Sequence, residues 1–193
     1  MRGSTHAWEQ RELDSVANGK TGGGTPSTAN SSLWNGTLPW LQSSDLVEDQ
    51  VLEVQLNKHI SKKALSMTAA RLIPEKSIAV VTRVGVGKLA YMPFSYSTSQ
   101  DFLSLSDLRE DGLFLSYSIY VLLKRAQSLL QGTSIKGITK EELLSKKIVI
   151  PSLPEQRAIG SFFSRLDALI ALHQRKYEKL KELKAALLEK MFI

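Results

Sequence analysis

Cysteine is absent from the 193 residues. That excludes disulfides and thiolate metal ligands, and it makes a reducing, cytoplasmic setting the default expectation. Histidine is nearly as scarce: His6, His59 and His173 lie too far apart in the chain to outline a metal centre. No apolar run approaches the ~20 residues that a membrane-spanning helix needs, so no membrane partner is expected. Met1-Arg2-Gly3-Ser4 reads as an expression tag, with no apolar stretch behind it to make a signal peptide. Residues 1–7 are therefore set aside as tag or disordered.

What is present is globular in character. Hydrophobic residues make up 42% and charged residues 23%, which excludes wholesale disorder and collagen-like structure. The length fits one domain with an appendage. Lys and Arg total 25 against 19 Asp and Glu, a net charge of +6 that leans toward an anionic partner.

Two textures divide the chain. Residues 8–150 mix short apolar runs with glycine, serine and threonine, whereas the remainder, 151–193, is rich in Leu, Lys, Glu and Ala. Pro151-Ser152-Leu153-Pro154 marks the change, since prolines stop a strand and open a helix. In the first part, Val51–Leu56, Ser77–Val84, Lys88–Met92 and Lys146–Ile150 read as strands. Gly85-Val86-Gly87 joins the second and third as a hairpin. Leu113–Gln131 reads as a helix, and Thr139 with Glu142 as the capping box of a short one. The fold class is thus α+β: a mixed α/β domain followed by a long helix.

That long helix has a seven-residue repeat. One column is Ile159, Leu166, His173, Leu180 and Leu187; the other is Phe163, Ile170, Tyr177, Lys184 and Met191. The 4-3 spacing is that of a coiled-coil seam. Phe162, Leu169 and Leu183 widen the stripe. A helix of ~35 residues is ~52 Å long, too long for a domain with a radius of gyration of ~15 Å to cover. Pairing with another chain is expected, so the first column, together with Phe163, Ile170 and Tyr177, forms the candidate dimer interface. The alternative is a helix folded back along its own domain.

The apparent catalytic motifs dissolve on inspection. Gly19-Lys20-Thr21 lacks the earlier glycine of a phosphate loop, because position 14 is Asp14. Gly85–Ala90 matches a dinucleotide fingerprint but reaches Pro93 too soon to open a helix. No G-x-S-x-G is present, nor the Asn/Asp-Pro-Pro-aromatic stretch of DNA amino-methyltransferases. Asp45 with Glu53 is a weak nuclease-like pair, kept as the catalytic alternative.

Four polar loops carry the groups that grip phosphates and read base edges. Lys20, Thr25 and Ser27 lie in the first, Arg83 and Lys88 in the second. Ser99 and Gln100 lie in the third, where Gln100 has the amide suited to adenine. Ser134 and Lys136 lie in the fourth, with Lys140 following. Lys124, Arg125, Lys136, Lys140, Lys146 and Lys147 face only Glu141 and Glu142 in the same span. The ten loop residues named are the candidate DNA contacts; no catalytic or metal-binding residue is assigned.

Several motifs together resemble the specificity subunit of type I restriction–modification systems, over nearly all of residues 7–193. They run from Trp8–Leu13 through Gly23-Gly24-Thr25-Pro26-Ser27, Trp34-Asn35-Gly36, Pro39-Trp40 and Ser44-Asp45-Leu46. Arg83–Lys88, Ser99–Phe102 and Gly132–Ile138 follow, and Pro151-Ser152-Leu153-Pro154-Glu155-Gln156-Arg157-Ala158-Ile159 then opens the long helix. The resemblance implies a noncatalytic subunit that reads double-stranded DNA. Such subunits carry two target-recognition domains and two long helices packed antiparallel. This chain has one of each, so it is expected to act as a homodimer reading an interrupted palindrome. The implied partners are modification subunits, which bind S-adenosylmethionine and methylate adenine, and a restriction subunit. No cofactor is expected on this chain itself. A coiled-coil interaction module with no DNA role is the alternative from another class.

Overall fold

The computed structural model describes residues 8–83, 85–128 and 137–192. Strands β1 (Glu9–Glu12), β2 (Ala17–Gly22), β3 (Leu38–Leu41) and β4 (Lys58–Ile60) come first, then helix α1 (Lys62–Met67). Strands β5 (Ser77–Val81), β6 (Leu89–Met92), β7 (Ser97–Thr98) and β8 (Phe102–Leu108) follow. Helices α2 (Gly112–Ser128) and α3 (Lys140–Leu144), strand β9 (Lys147–Ile150) and helix α4 (Leu153–Met191) complete the chain.

The centre is an antiparallel sheet ordered β2-β8-β5-β6. All five residues of β5 are buried, with β-branched Ile78, Val80 and Val81 among the small Ser77 and Ala79. Their side chains alternate between faces. Ile78 and Val80 join Leu103, Leu105 and the α2 residues Phe114, Leu115, Ile119 and Leu123. Ala79 and Val81 face Leu41, Ile73, Met92 and Tyr96 on the other side. A second sheet, β4-β3-β7, builds a smaller core from Leu33, Trp40, Ile60, Ala64 and Ala70. Strand β1 pairs with β9 from Glu9↔Ile150 to Glu12↔Lys147, so the start of the domain is tied to the segment that launches α4.

The β5–β6 hairpin, β9, α2 and α3 lie where the sequence places them. Thr139 accepts the Glu142 amide at 3.1 Å, the first half of the expected cap. The Ser77 strand is shorter than expected, ending at Val81; beyond Ser128 the expected helix passes outside the described residues.

Val51–Leu56 is not a strand. Among the described residues its one β-bridge is the isolated Leu46↔Val54. The segment crosses the core as a strap: the Val51 carbonyl accepts the Tyr91 amide at 2.9 Å, and the Gln55 amide donates to the Asp45 carbonyl at 2.8 Å. Its alternation records one face against the core, without a partner strand.

Helix α4 starts at Leu153, inside the Pro151–Pro154 boundary. The Glu155 carboxylate accepts from the Ser152 amide and hydroxyl, and Pro154 occupies the first turn. Its first four turns dock on α2. Gly160 lies so close to Asp111, Leu113 and Phe114 that a Cβ there would sit 2.9 Å from each. Phe163 stacks on Tyr117 at 5.3 Å, and the Tyr117 hydroxyl donates to Asp167 at 2.5 Å. Burial pushes the Tyr117 phenol well above its ordinary range, and the Asp167 carboxylate adds to the rise. Beyond Ala171 every described residue of the helix is exposed: Leu180 is 64% exposed, Leu183 55% and Met191 73%. The fold-back alternative therefore holds only for the first turns.

Candidate nucleic-acid interface

One edge of the central sheet gathers the polar loops. Strand β2 ends at Gly22 opposite Leu103, and β5 ends at Val81 opposite Phe102, so both stop where β8 begins. Strand β6 starts there too, with Leu89 opposite Val80.

Backbone contacts then join the loops to one another. The Gly24 amide donates to the Thr98 carbonyl at 2.8 Å. Gly23 lies against the Ser99 carbonyl and the Thr98 side chain, where any Cβ would collide. The Thr82 amide donates to the Asp101 carbonyl at 2.7 Å, and the Ile138 amide donates to the Thr82 carbonyl at 2.8 Å. Segments that lie far apart in sequence thus share one rim.

Helix α2 buttresses this rim from behind. Gln127 donates its side-chain amide to the Val86 carbonyl in the glycine turn, where Gly85 and Gly87 have φ of 88° and 101°. Tyr120 donates to Asp49 at 2.8 Å, and Lys124 pairs with the same carboxylate at 2.5 Å. Lys124, then Tyr120, holds the Asp49 carboxyl below its usual range. Burial, then Asp49, pushes the Tyr120 phenol up to about 12.

The expected contact residues have different fates. Thr25, Ser27, Arg83, Gln100 and Lys140 are exposed. No carboxylate pairs with Arg83 or Lys140 among the described residues. Lys20 is paired with Asp14 at 2.6 Å. Lys88 is half-buried and donates to the Leu46 carbonyl at 3.3 Å. Ser99 is only 5% exposed, and its hydroxyl donates to the Asp101 carboxylate at 3.2 Å, so it shapes the turn that presents Gln100. Ser134 and Lys136 lie outside the described residues.

Sequence reasoning missed a second cationic group. Residues 23–44 and 54–74 contain no Asp or Glu, and carry Lys58, Lys62, Lys63 and Arg71. The fold brings these stretches together as the lobe around β3, β4 and α1. Trp34 and Trp40 meet edge to face at 4.9 Å, and Lys58 stands over both rings at 5.9 and 5.6 Å. The indoles bind back to the first loop: Trp34 donates to the Ser27 carbonyl at 3.1 Å, and Trp40 to the Gly24 carbonyl at 3.0 Å. Thr25 and Ser27 therefore sit beside an electropositive lobe. The missed signal was a shortage of carboxylates, split between two stretches.

Asp45 has a structural task. Its carboxylate accepts the Gln42 amide at 2.9 Å and the Asn57 side-chain amide at 3.1 Å, at 1% exposure, whereas Glu53 is exposed. The two do not form an open carboxylate pair.

Of the expected dimer residues, Ile159 packs on its own domain's core, and Phe163 shares itself between Tyr117 and solvent at 42% exposure. Leu166, Ile170, His173, Tyr177, Leu180 and Leu187 are exposed.

A sheet edge bearing anion-friendly loops, set on a domain that launches a long bare helix, matches a known family. Residues 6–182 match the type I restriction modification DNA specificity domain. The chain belongs to that family. It is 24% identical over 192 residues to the type I restriction enzyme MjaIX specificity subunit of Methanocaldococcus jannaschii, covering 96% of this chain and 44% of that protein. It is 27% identical over 183 residues to the EcoR124I/EcoR124II specificity subunit of Escherichia coli, covering 84% of this chain and 44% of that protein. The HsdS subunit from Thermoanaerobacter tengcongensis shares the fold, with a TM-score of 0.63 and 21% identity over 100% of this chain and 47% of that one. The chain spans less than half the length of the curated relatives it matches.

Proposed function

We propose that this chain reads one half of a split double-stranded DNA target for a type I restriction–modification complex, and scaffolds that complex without catalysing a reaction. Residues 8–150 are the reading head and 151–193 the spine. The observation that carries the reading is the shared rim, where Thr25, Ser27, Arg83 and Gln100 stand exposed beside the lobe that carries Lys58, Lys62, Lys63 and Arg71.

The chemistry follows from the parts. Arg83, Lys140 and the lobe lysines neutralise phosphates and set the register on the duplex. Gln100, on its Ser99–Asp101 turn, offers paired donor and acceptor to a base edge. Two copies joined through α4 present identical heads to inverted half-sites. The modification subunits bring S-adenosylmethionine and methylate adenine, the restriction subunit cuts, and the assembly works in the cytoplasm.

Affinity for duplex DNA, measured with the modification partner across a salt series, tests the reading. Six to eight neutralised phosphates per dimer predict a log–log slope of about −5 to −7. An interaction that is absent, or indifferent to salt, contradicts it.

The coiled-coil module without a DNA role explains the bare helix but leaves the electropositive rim without a purpose. The nuclease reading loses its support with Asp45 committed to Gln42 and Asn57.

A further inference from the structure

Helix α2 turns one row of polar side chains toward three separate parts of the chain. Tyr117, Tyr120, Lys124 and Gln127 recur at three- and four-residue spacing, which sets them on one face. Tyr117 donates to Asp167 of α4, Tyr120 and Lys124 hold Asp49 just before the strap, and Gln127 donates to the Val86 carbonyl of the glycine turn. We infer that Gln127 is a positioning residue for DNA reading: it fixes the glycine turn against α2, and so fixes where Arg83 meets the duplex. The inference rests on the half-site reading above and adds to it the residue that aims one of its contacts.

The turn is longer than its connection needs. Strands β5 and β6 pair as far as Val80↔Leu89, where a two-residue turn would suffice to join neighbouring strands. Residues 82–88 project beyond that pairing instead. Glycine is the residue most free to leave a given backbone conformation, so a loop built on Gly85 and Gly87 needs outside contacts to stay in one shape. The base of the loop has three. The Val81 amide donates to the Lys88 carbonyl at 3.0 Å, the Lys88 amide to the Gly85 carbonyl at 3.3 Å, and the Lys88 ammonium to the Leu46 carbonyl at 3.3 Å. The Gln127 amide reaches the tip itself, at Val86. Gly87 is buried against that amide, and a Cβ there would collide with it.

Arg83 stands between two anchored points. On one side the Thr82 amide and hydroxyl donate to the Asp101 carbonyl at 2.7 and 3.1 Å, and the Thr82 carbonyl accepts the Ile138 amide at 2.8 Å. On the other side is the tip held by Gln127. Arg83 is exposed between them. A guanidinium is a planar fork whose hydrogen bonds depend on its direction. A held turn presents that fork without the ordering cost that a loose turn incurs on binding.

The rest of the polar row fixes α2 as the reference. Asp49, at φ 59°, is bonded to Tyr120 and Lys124. Its loop and the glycine turn flank a cleft of about 120 Å³ with Gln127 on the wall. Tyr117 ties the same helix to the spine.

Gln127→Met keeps the length of the side chain and removes the N–H. Hydrogen exchange of the full chain without DNA, followed over residues 85–88, is expected to speed up about 3- to 10-fold in this variant. Unchanged exchange overturns the inference. Affinity is then measured with the modification partner, on a duplex selected by the parent from a random library. Arg83→Ala is expected to weaken binding and to lower the salt slope by about 1. Gln127→Met is expected to weaken binding about 3- to 10-fold with the parent's salt slope, since every cation remains. The double variant should bind no more weakly than Arg83→Ala alone, because Gln127 acts through Arg83. Additive losses, or a single variant that binds as the parent does, overturn the inference. Gly87→Ala displaces the same amide from the other side and should reproduce the loss; a Gly87→Ala chain with the parent's affinity also overturns it. A parent that selects no duplex overturns the half-site reading, and this inference with it.

Discussion

The side-chain amide of Gln156 donates to the Glu110 carboxylate at 2.6 Å, joining the long helix to the loop before α2. The same amide nitrogen donates to the Pro151 carbonyl at 3.0 Å, and the amide oxygen accepts the Asp111 backbone at 2.9 Å. The other Glu110 oxygen accepts Arg11 at 2.8 Å, which brings β1 into the joint. At 1% exposure, Gln156 fixes the angle at which the spine leaves the head.

Gln156→Ala removes all three bonds and leaves a buried amide and carboxylate short of partners. It is expected to cost about 2–3 kcal/mol. Urea unfolding should show a lower midpoint with an unchanged slope. A variant as stable as the parent would deny Gln156 its role at the joint.

The tyrosines set the alkaline limit. Burial pushes Tyr96 up to about 12 against the opposing pull of its bonds to Ser104 and Ser77, and Tyr120 also reaches about 12. A folded-state pKa above the unfolded value of 10.0 means that the folded form retains its proton longer. Stability from these groups is complete below pH 10 and is lost as pH rises through about 12. Melting temperature should fall over that window, and Tyr96→Phe should start lower but fall less steeply. An equal slope in parent and variant would contradict the assignment.

Cation and amide should separate in DNA binding. Lys63→Ala is expected to weaken all sequences alike and to reduce the salt slope by about 1. Gln100→Ala is expected to relax choice at one base pair, at about 1–3 kcal/mol of discrimination. Parallel salt titrations on matched and mismatched duplexes distinguish the two effects. If Lys63→Ala altered only one sequence, its phosphate role would be wrong.

Leu180→Lys places a charge in the exposed seam, far from the docked turns. It should yield protomers in sedimentation with the thermal transition of the head retained. An unchanged dimer mass would remove Leu180 from the interface.

Elements with a local signal were legible in the sequence. The β-branched-rich segment of β5, the glycine turn after it, the Thr139 cap and the heptads of α4 each encode themselves within a few residues. Strand β2 was not legible: Ala17–Gly22 is rich in glycine and polar side chains, and it becomes a strand only because β8 pairs with it from Ala17↔Leu108 to Gly22↔Leu103. Strand β7 is two residues long and exists through its parallel contact with β3. Val51–Leu56 erred the other way, because an extended strap alternates like a strand.

The site divided along the same line. Residue types suited to DNA were visible in the loops, but their meeting depends on bonds such as Thr82 to Asp101 and Ile138 to Thr82. Exposure was equally invisible, so Ser99 looked like Gln100. The lysines of α1 were overlooked because the lobe assembles from stretches separated by Asp45, Glu48, Asp49 and Glu53.

Selection of bound duplexes from a random library, using this chain with its modification partner, bears most directly on the two-headed reader. The recovered sites should contain one short motif and its inverted copy at a fixed separation. Recovery of a single unpaired motif, a direct repeat, or no shared sequence at all would contradict it.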